Sequence, residues 1–122
     1  MTASVVLADD APDLRELLRL ALELSGDFRV VAEAADGEQA VQAVREHGPD
    51  ALLLDLSMPL LDGLGALPEI RDAAPGCRIV VLSGYSDNGL REAALRQGAD
   101  LFLVKGMPPR EVVAALRTLL AL

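Results

Sequence analysis

The sequence has no tryptophan, one tyrosine and two phenylalanines among its 122 residues, so a core must be packed from aliphatic side chains. Its single cysteine, Cys77, excludes an internal disulfide and makes a reducing compartment the simpler expectation. Basic residues are also scarce: 11 Lys and Arg face 19 Asp and Glu, leaving a net charge of -8. That balance argues against direct nucleic-acid binding, or attachment to an anionic membrane, by electrostatics. No apolar run approaches the roughly 18 residues of a membrane span. The opening MTASVVLADD lacks the positive flank and long apolar stretch of a signal peptide, so a cytoplasmic location is expected. GxGxxG and P-loop patterns are missing, and Gly63 and Gly65 therefore belong to no phosphate-cradling loop. With no repeat, low-complexity tract or Pro/Gly-rich linker, residues 1–122 are expected to form one domain.

What the chain does have is a rhythm. Hydrophobic residues make up 52% of it, enough for a sizeable core without staples. Short apolar runs fall at Ser4-Ala8, Phe28-Ala32, Ala51-Leu54, Arg78-Leu82 and Leu101-Val104. Most are apolar at nearly every position, as in parallel strands covered on both faces. Amphipathic stretches lie between them. Leu14, Leu17, Leu18, Ala21 and Leu22 share a helical face that ends at Ser25-Gly26. Residues 37–47 place Ala40, Val41, Ala43 and Val44 together before Gly48-Pro49 stops the helix. A weaker Ala-rich helix is predicted over 87–97, ending at Gly98. Another over 109–121 carries Val112, Val113, Leu116, Leu119 and Leu120. The segment 63–74 is less clearly helical, because Pro68 removes a backbone donor. Five βα units in strict alternation predict a three-layer α/β/α sandwich, with a parallel five-stranded sheet in the order 2-1-3-4-5.

In such a sheet chemistry belongs beyond the carboxyl ends of the strands. The residues just past the apolar runs are Asp9 and Asp10, Asp55, Ser83 and Lys105, and the strand order makes them neighbours. Two carboxylates about 4 Å apart repel by roughly 4 kcal/mol at an effective dielectric near 20. Three together need positive charge. Lys105 supplies one unit, and a hard divalent ion with oxygen ligands, such as Mg2+, supplies two more. This crevice suits phosphoryl transfer: a carboxylate attacks phosphorus to give an acyl phosphate, while cations and a hydroxyl steady the equatorial oxygens. Asp55, on the central strand, is the best nucleophile, and the Asp9-Asp10 pair suits metal binding.

At this point the chain resembles a two-component response-regulator receiver domain over essentially its whole length. The resemblance rests on Asp9-Asp10; on Asp55, Leu56, Ser57, Met58 and Pro59 followed by Asp62-Gly63; on Ser83-Gly84; and on Phe102 three residues before Lys105. It implies the (βα)5 flavodoxin-like receiver fold, and phosphorylation of Asp55 by a sensor histidine kinase. It further implies Mg2+ held by Asp10, Asp55 and the Ser57 backbone carbonyl, with Asp9 acting through a water. Ser83 and Phe102 match the family's switch pair, and Ser57 and Tyr85 fall where dephosphorylation rate is tuned. Many receivers follow the lysine with a proline in a cis peptide, whereas here Gly106 follows Lys105. The run Lys105-Gly-Met-Pro-Pro-Arg-Glu111 instead resembles the NarL/FixJ (LuxR-type) subfamily, whose receivers usually precede a helix-turn-helix DNA-binding domain. No output domain falls within these 122 residues. The chain is expected either to serve transcription through such a domain or to act as a stand-alone receiver, by protein-protein contact or in a phosphorelay. Output is expected from the face formed by helix 87–97, the last strand and helix 109–121. That face, or the last helix alone, is the candidate homodimer surface. The resemblance makes the chain a phosphoacceptor with weak self-catalysed phosphorylation and dephosphorylation, not an enzyme.

Plainer readings stand beside these. Asp9 or Asp10 could simply cap the helix that contains Pro12. Phe102 would serve core packing equally well. His47, at a helix C-terminus, is read as a dipole partner rather than a phosphodonor, and Cys77 as an inert residue beside a strand. The apolar tail Leu119-Leu122 suits dimerisation or a docked domain. A phosphatase of the haloacid dehalogenase kind would need a second acid two residues after Asp55, where Ser57 stands. A binding module independent of phosphorylation would be signalled by loss of an acid or the lysine, and both are kept.

Overall fold

The apolar runs become strands because each is covered from two sides. In the computed structural model, which describes residues 2–56, 63–84 and 88–122, Leu52 and Leu54 of one strand pack into one core and Leu53 into another. The described residues form five strands, β1 (Ala3–Ala8), β2 (Phe28–Ala34), β3 (Ala51–Asp55), β4 (Arg78–Ser83) and β5 (Leu101–Val104). They alternate with five helices, α1 (Pro12–Leu24), α2 (Gly37–His47), α3 (Gly63–Ala73), α4 (Asn88–Arg96) and α5 (Pro109–Leu120). The sheet is parallel throughout, in the predicted order β2-β1-β3-β4-β5.

One face of the sheet packs Val6, Leu52, Leu54, Ile79 and Val81 against Ala40, Val41 and Val44 of α2 and Ala66, Leu67 and Ile70 of α3. The other packs Val5, Leu7, Leu53, Val80 and Leu82 against Leu18 and Leu22 of α1 and Val112, Val113 and Leu116 of α5. This is the α/β/α sandwich.

Several boundaries differ from the sequence expectation. β2 runs on to Ala34. β3 and β4 take in Asp55 and Ser83 as their last residues, so these two side chains sit on strand ends rather than in the following loops. α3 is helical from Gly63 to Ala73 with Pro68 inside it. The missing donor is tolerated because Ala66, Leu67 and Ile70 are fully buried, so tertiary packing overrides the local penalty. Leu17, read as core-facing, is 51% exposed. Leu18 and Leu22 define the buried line of α1, and at 100° per residue Leu17 falls on its flank.

Candidate functional site

Register brings the expected residues together. Ala8 pairs with Leu54, Asp55 with Leu82, and Ser83 with Val104. Residues 9, 55, 83 and 105 therefore end adjacent strands at one edge of the sheet. Main-chain bonds extend the ladder beyond the strands, from Asp9 N–H to Ala34 O at 3.0 Å and from Lys105 N–H to Ser83 O at 2.7 Å.

Asp55 is fully buried, and Asp9 and Ser83 are nearly so at 3% exposure each. Asp10 is exposed. The Lys105 ammonium lies 2.9 Å from Asp55 Oδ2 and 3.5 Å from Asp9 Oδ2. One carboxylate oxygen from each of Asp9, Asp10 and Asp55 falls within 4.8 Å of the others. Asp9 caps no helix: the residue preceding α1 is Ala11, with no side-chain cap. The Asp9 carboxylate instead accepts the Ala11 N–H at 2.8 Å, which folds the β1–α1 loop back over the strand end. Arg15 steadies the same loop, a role that sequence reading missed. Its guanidinium donates to the Asp9 carbonyl at 2.7 Å and pairs with Glu33 at 3.1 Å. Helical spacing alone carries no sign of this contact.

Electrostatics follow from this crowding. Burial pushes the Asp9 carboxyl above its ordinary pKa and the Asp55 charge adds to the rise, with partial relief from the Ala11 N–H and Lys105. Burial disfavours the Lys105 ammonium, but its hydrogen bond to Asp55 and the two carboxylate charges outweigh that and hold its pKa above the usual lysine value. Two acids nearly out of solvent, a third beside them and a single ammonium form an all-oxygen donor set short of positive charge. Asp9 Oδ2 is buried with no donor among the described residues closer than Lys105 at 3.5 Å. Such a set fits a hard divalent cation.

Phe102 is buried in the core shared with α3 and α4, where its packing role is satisfied. Gly106 has φ +101°, a conformation open to glycine and closed to proline, which is the physical reason for glycine after the lysine here. Ser57, including its backbone carbonyl, and Tyr85 lie outside the described residues, as do Met58, Pro59 and Asp62. A cavity of about 570 Å³ opens at the opposite end of the sheet beside Arg71, Arg78 and Asp100, away from the acidic cluster.

A carboxylate on the central strand, paired with a lysine inside an acidic cluster at the carboxyl edge of a 2-1-3-4-5 sheet, defines a receiver-type signalling domain rather than a conventional enzyme. The chain belongs to the response regulator receiver domain family, whose sequence model matches residues 5–117. It is 38% identical over 114 residues to the nitrate/nitrite response regulator protein NarL of Escherichia coli K12, covering 93% of this chain and 53% of that protein. The chain thus spans about half the length of the curated relatives it matches. The signal receiver domain of the response regulator NarL from Mycobacterium tuberculosis superposes with a TM-score of 0.93 at 36% identity, covering 98% of this chain and 97% of that one. A response regulator from Burkholderia pseudomallei, solved with a phosphorylated aspartic acid, calcium ion and citrate, superposes with a TM-score of 0.86 at 26% identity, covering 98% and 69%. Among the described residues, no helix is long and apolar enough to cross a membrane.

Proposed function

We propose that Asp55 accepts a phosphoryl group from a sensor histidine kinase and that the resulting acyl phosphate switches the face built from α4, β5 and α5. The observation that carries this reading is the buried Asp55 carboxylate held 2.9 Å from the Lys105 ammonium within the three-acid cluster. An Asp55 oxygen attacks phosphorus, the bond from phosphorus to the donor's imidazole nitrogen breaks, and the imidazole, already protonated on its other ring nitrogen, leaves neutral. Lys105 neutralises charge on the transferred group and orients the attacking carboxylate, while the Ser83 hydroxyl donates to a phosphoryl oxygen. Asp10, Asp55 and the Ser57 backbone carbonyl would hold Mg2+, with Asp9 acting through a water. When bound, that ion supplies positive charge to the phosphoryl oxygens. The phosphorylated aspartic acid in the Burkholderia relative supports the assignment.

Phe102 and Ser83 relay the change to the output face, where Leu95 and Val104 are exposed; Ser57 and Tyr85 tune its lifetime. That face, or α5 alone, is the surface for homodimerisation. Likeness to a LuxR-family DNA-binding response regulator of Staphylococcus aureus supports transcriptional output through a DNA-binding domain in a cytoplasmic protein, while the net charge of -8 argues against nucleic-acid contact by this domain itself. The chain acts by itself only through weak self-phosphorylation and self-dephosphorylation. Intact-mass measurement after incubation with Mg2+ and a small-molecule phosphodonor tests the reading. One added phosphoryl group in the wild type and none in Asp55→Asn is expected; equal uptake by Asp55→Asn overturns it.

A further inference from the structure

Lys105 is carried by a strand whose own packing specifies its register weakly. β5 is four residues long, hydrogen-bonded at the sheet edge to β4 alone, and contributes one buried side chain, Phe102, with Leu101 and Leu103 only partly buried on its other face. A slip of one residue turns every side chain of a strand to the other face. Such a slip would swing Lys105 away from Asp55.

What fixes the register lies at the far end of the strand. The Asp100 N–H donates to Ile79 O at 2.8 Å, and its Oδ2 accepts the Ile79 N–H at 2.8 Å, so one residue engages both main-chain groups of Ile79. Arg71 of α3 donates to the same Oδ2 at 2.8 Å. Its guanidinium also donates to Gly98 O at 2.5 Å and Cys77 O at 2.6 Å. One side chain therefore ties the end of α3, the entry to β4 and the α4–β5 turn to the first residue before β5. The turn needs Gly98 for its φ of +122°, and a Cβ there would make only ordinary contact with the Arg71 side chain, at 3.4 Å.

We propose that Arg71 and Asp100 are positioning residues for Lys105, pinning the β5 register roughly 16 Å from the site, five residues at strand rise, so that the ammonium falls on Asp55. The functional consequence rests on the phosphoacceptor reading; the register claim does not. Amide hydrogen exchange tests it through the Lys105 N–H, which bonds Ser83, with the Leu53 amide of β3 as internal reference. In Asp100→Ala the Lys105 amide is expected to exchange on the order of tenfold faster relative to Leu53, the mark of a local opening. Asp100→Asn, whose amide oxygen still accepts from Ile79, restores most of the protection. Arg71→Lys, which keeps the charge and loses the fork, falls between the two. Phosphoryl uptake with Mg2+ and a small phosphodonor slows in the same order. An unchanged ratio, or equal acceleration at both amides, overturns the proposal. Failure of the wild type to take up phosphoryl would instead overturn the phosphoacceptor reading, because the exchange ratio needs no phosphorylation.

Discussion

Asp9 carries the electrostatic cost of the site in its own titration. Its pKa is raised by burial, with the Asp55 charge adding to the rise. Folding without a metal therefore favours its protonated form more than the unfolded chain does. The corresponding stability is fully present below the ordinary carboxylate value of 3.8 and is lost as pH rises through the folded-state value. Asp9→Asn, whose amide oxygen can keep the Ala11 bond, should stabilise the metal-free protein at pH 7 by about 1 kcal/mol and flatten that loss. Urea titrations across pH check both. Mg2+ at about a hundredfold excess over its dissociation constant should add about 2.7 kcal/mol to the wild type, and distinctly less to Asp9→Asn. Cys77 shifts in the same direction: burial pushes its thiol up to about 12, so it should resist a disulfide reagent at pH 8 until the chain is unfolded in denaturant. Fast labelling of the native protein would contradict its burial.

Among the elements, α2 is fixed by its ends as much as by its face. The Asp36 carboxylate accepts the Gln39 N–H at 2.8 Å, Gln39 returns an oxygen to the Ala35 N–H at 2.9 Å, and Gly48 closes the helix with φ +50°. Asp36→Ala should cost about 1 kcal/mol in denaturant unfolding. These ends were legible because Gly48-Pro49 and the apolar positions of α2 are local signals. α3 was harder to read, since Pro68 argues locally against the helix and only the burial of Ala66, Leu67 and Ile70 outweighs it. Leu17 illustrates the same limit: its helical spacing is right, yet the face that the sheet covers is centred on Leu18 and Leu22. The exposed apolar residues Leu17, Leu20 and Leu24, the last at 85%, all lie on the outer side of α1.

Across the whole molecule, alternation and strand-end chemistry were enough to give the layers, the strand order and the gathering of Asp9, Asp10, Asp55, Ser83 and Lys105. They were enough because a parallel sheet allows few topologies and places its crevice at one edge. The Arg71–Asp100 tie and the Arg15 brace were not legible, because each depends on contacts that no periodicity encodes. Arg71 and Asp100 are 29 positions apart and meet only once α3, β4 and β5 are packed. The acidic cluster lies at the opposite edge, where three acids surround a single lysine in a chain of net charge -8. Borohydride reduction of protein treated with Mg2+ and a small phosphodonor, followed by peptide mapping, tests that site most directly, since reduction converts an aspartyl phosphate to homoserine. Homoserine at position 55 and at no other aspartate is the predicted result; its appearance at Asp9, Asp10 or elsewhere with Asp55 intact would contradict the account.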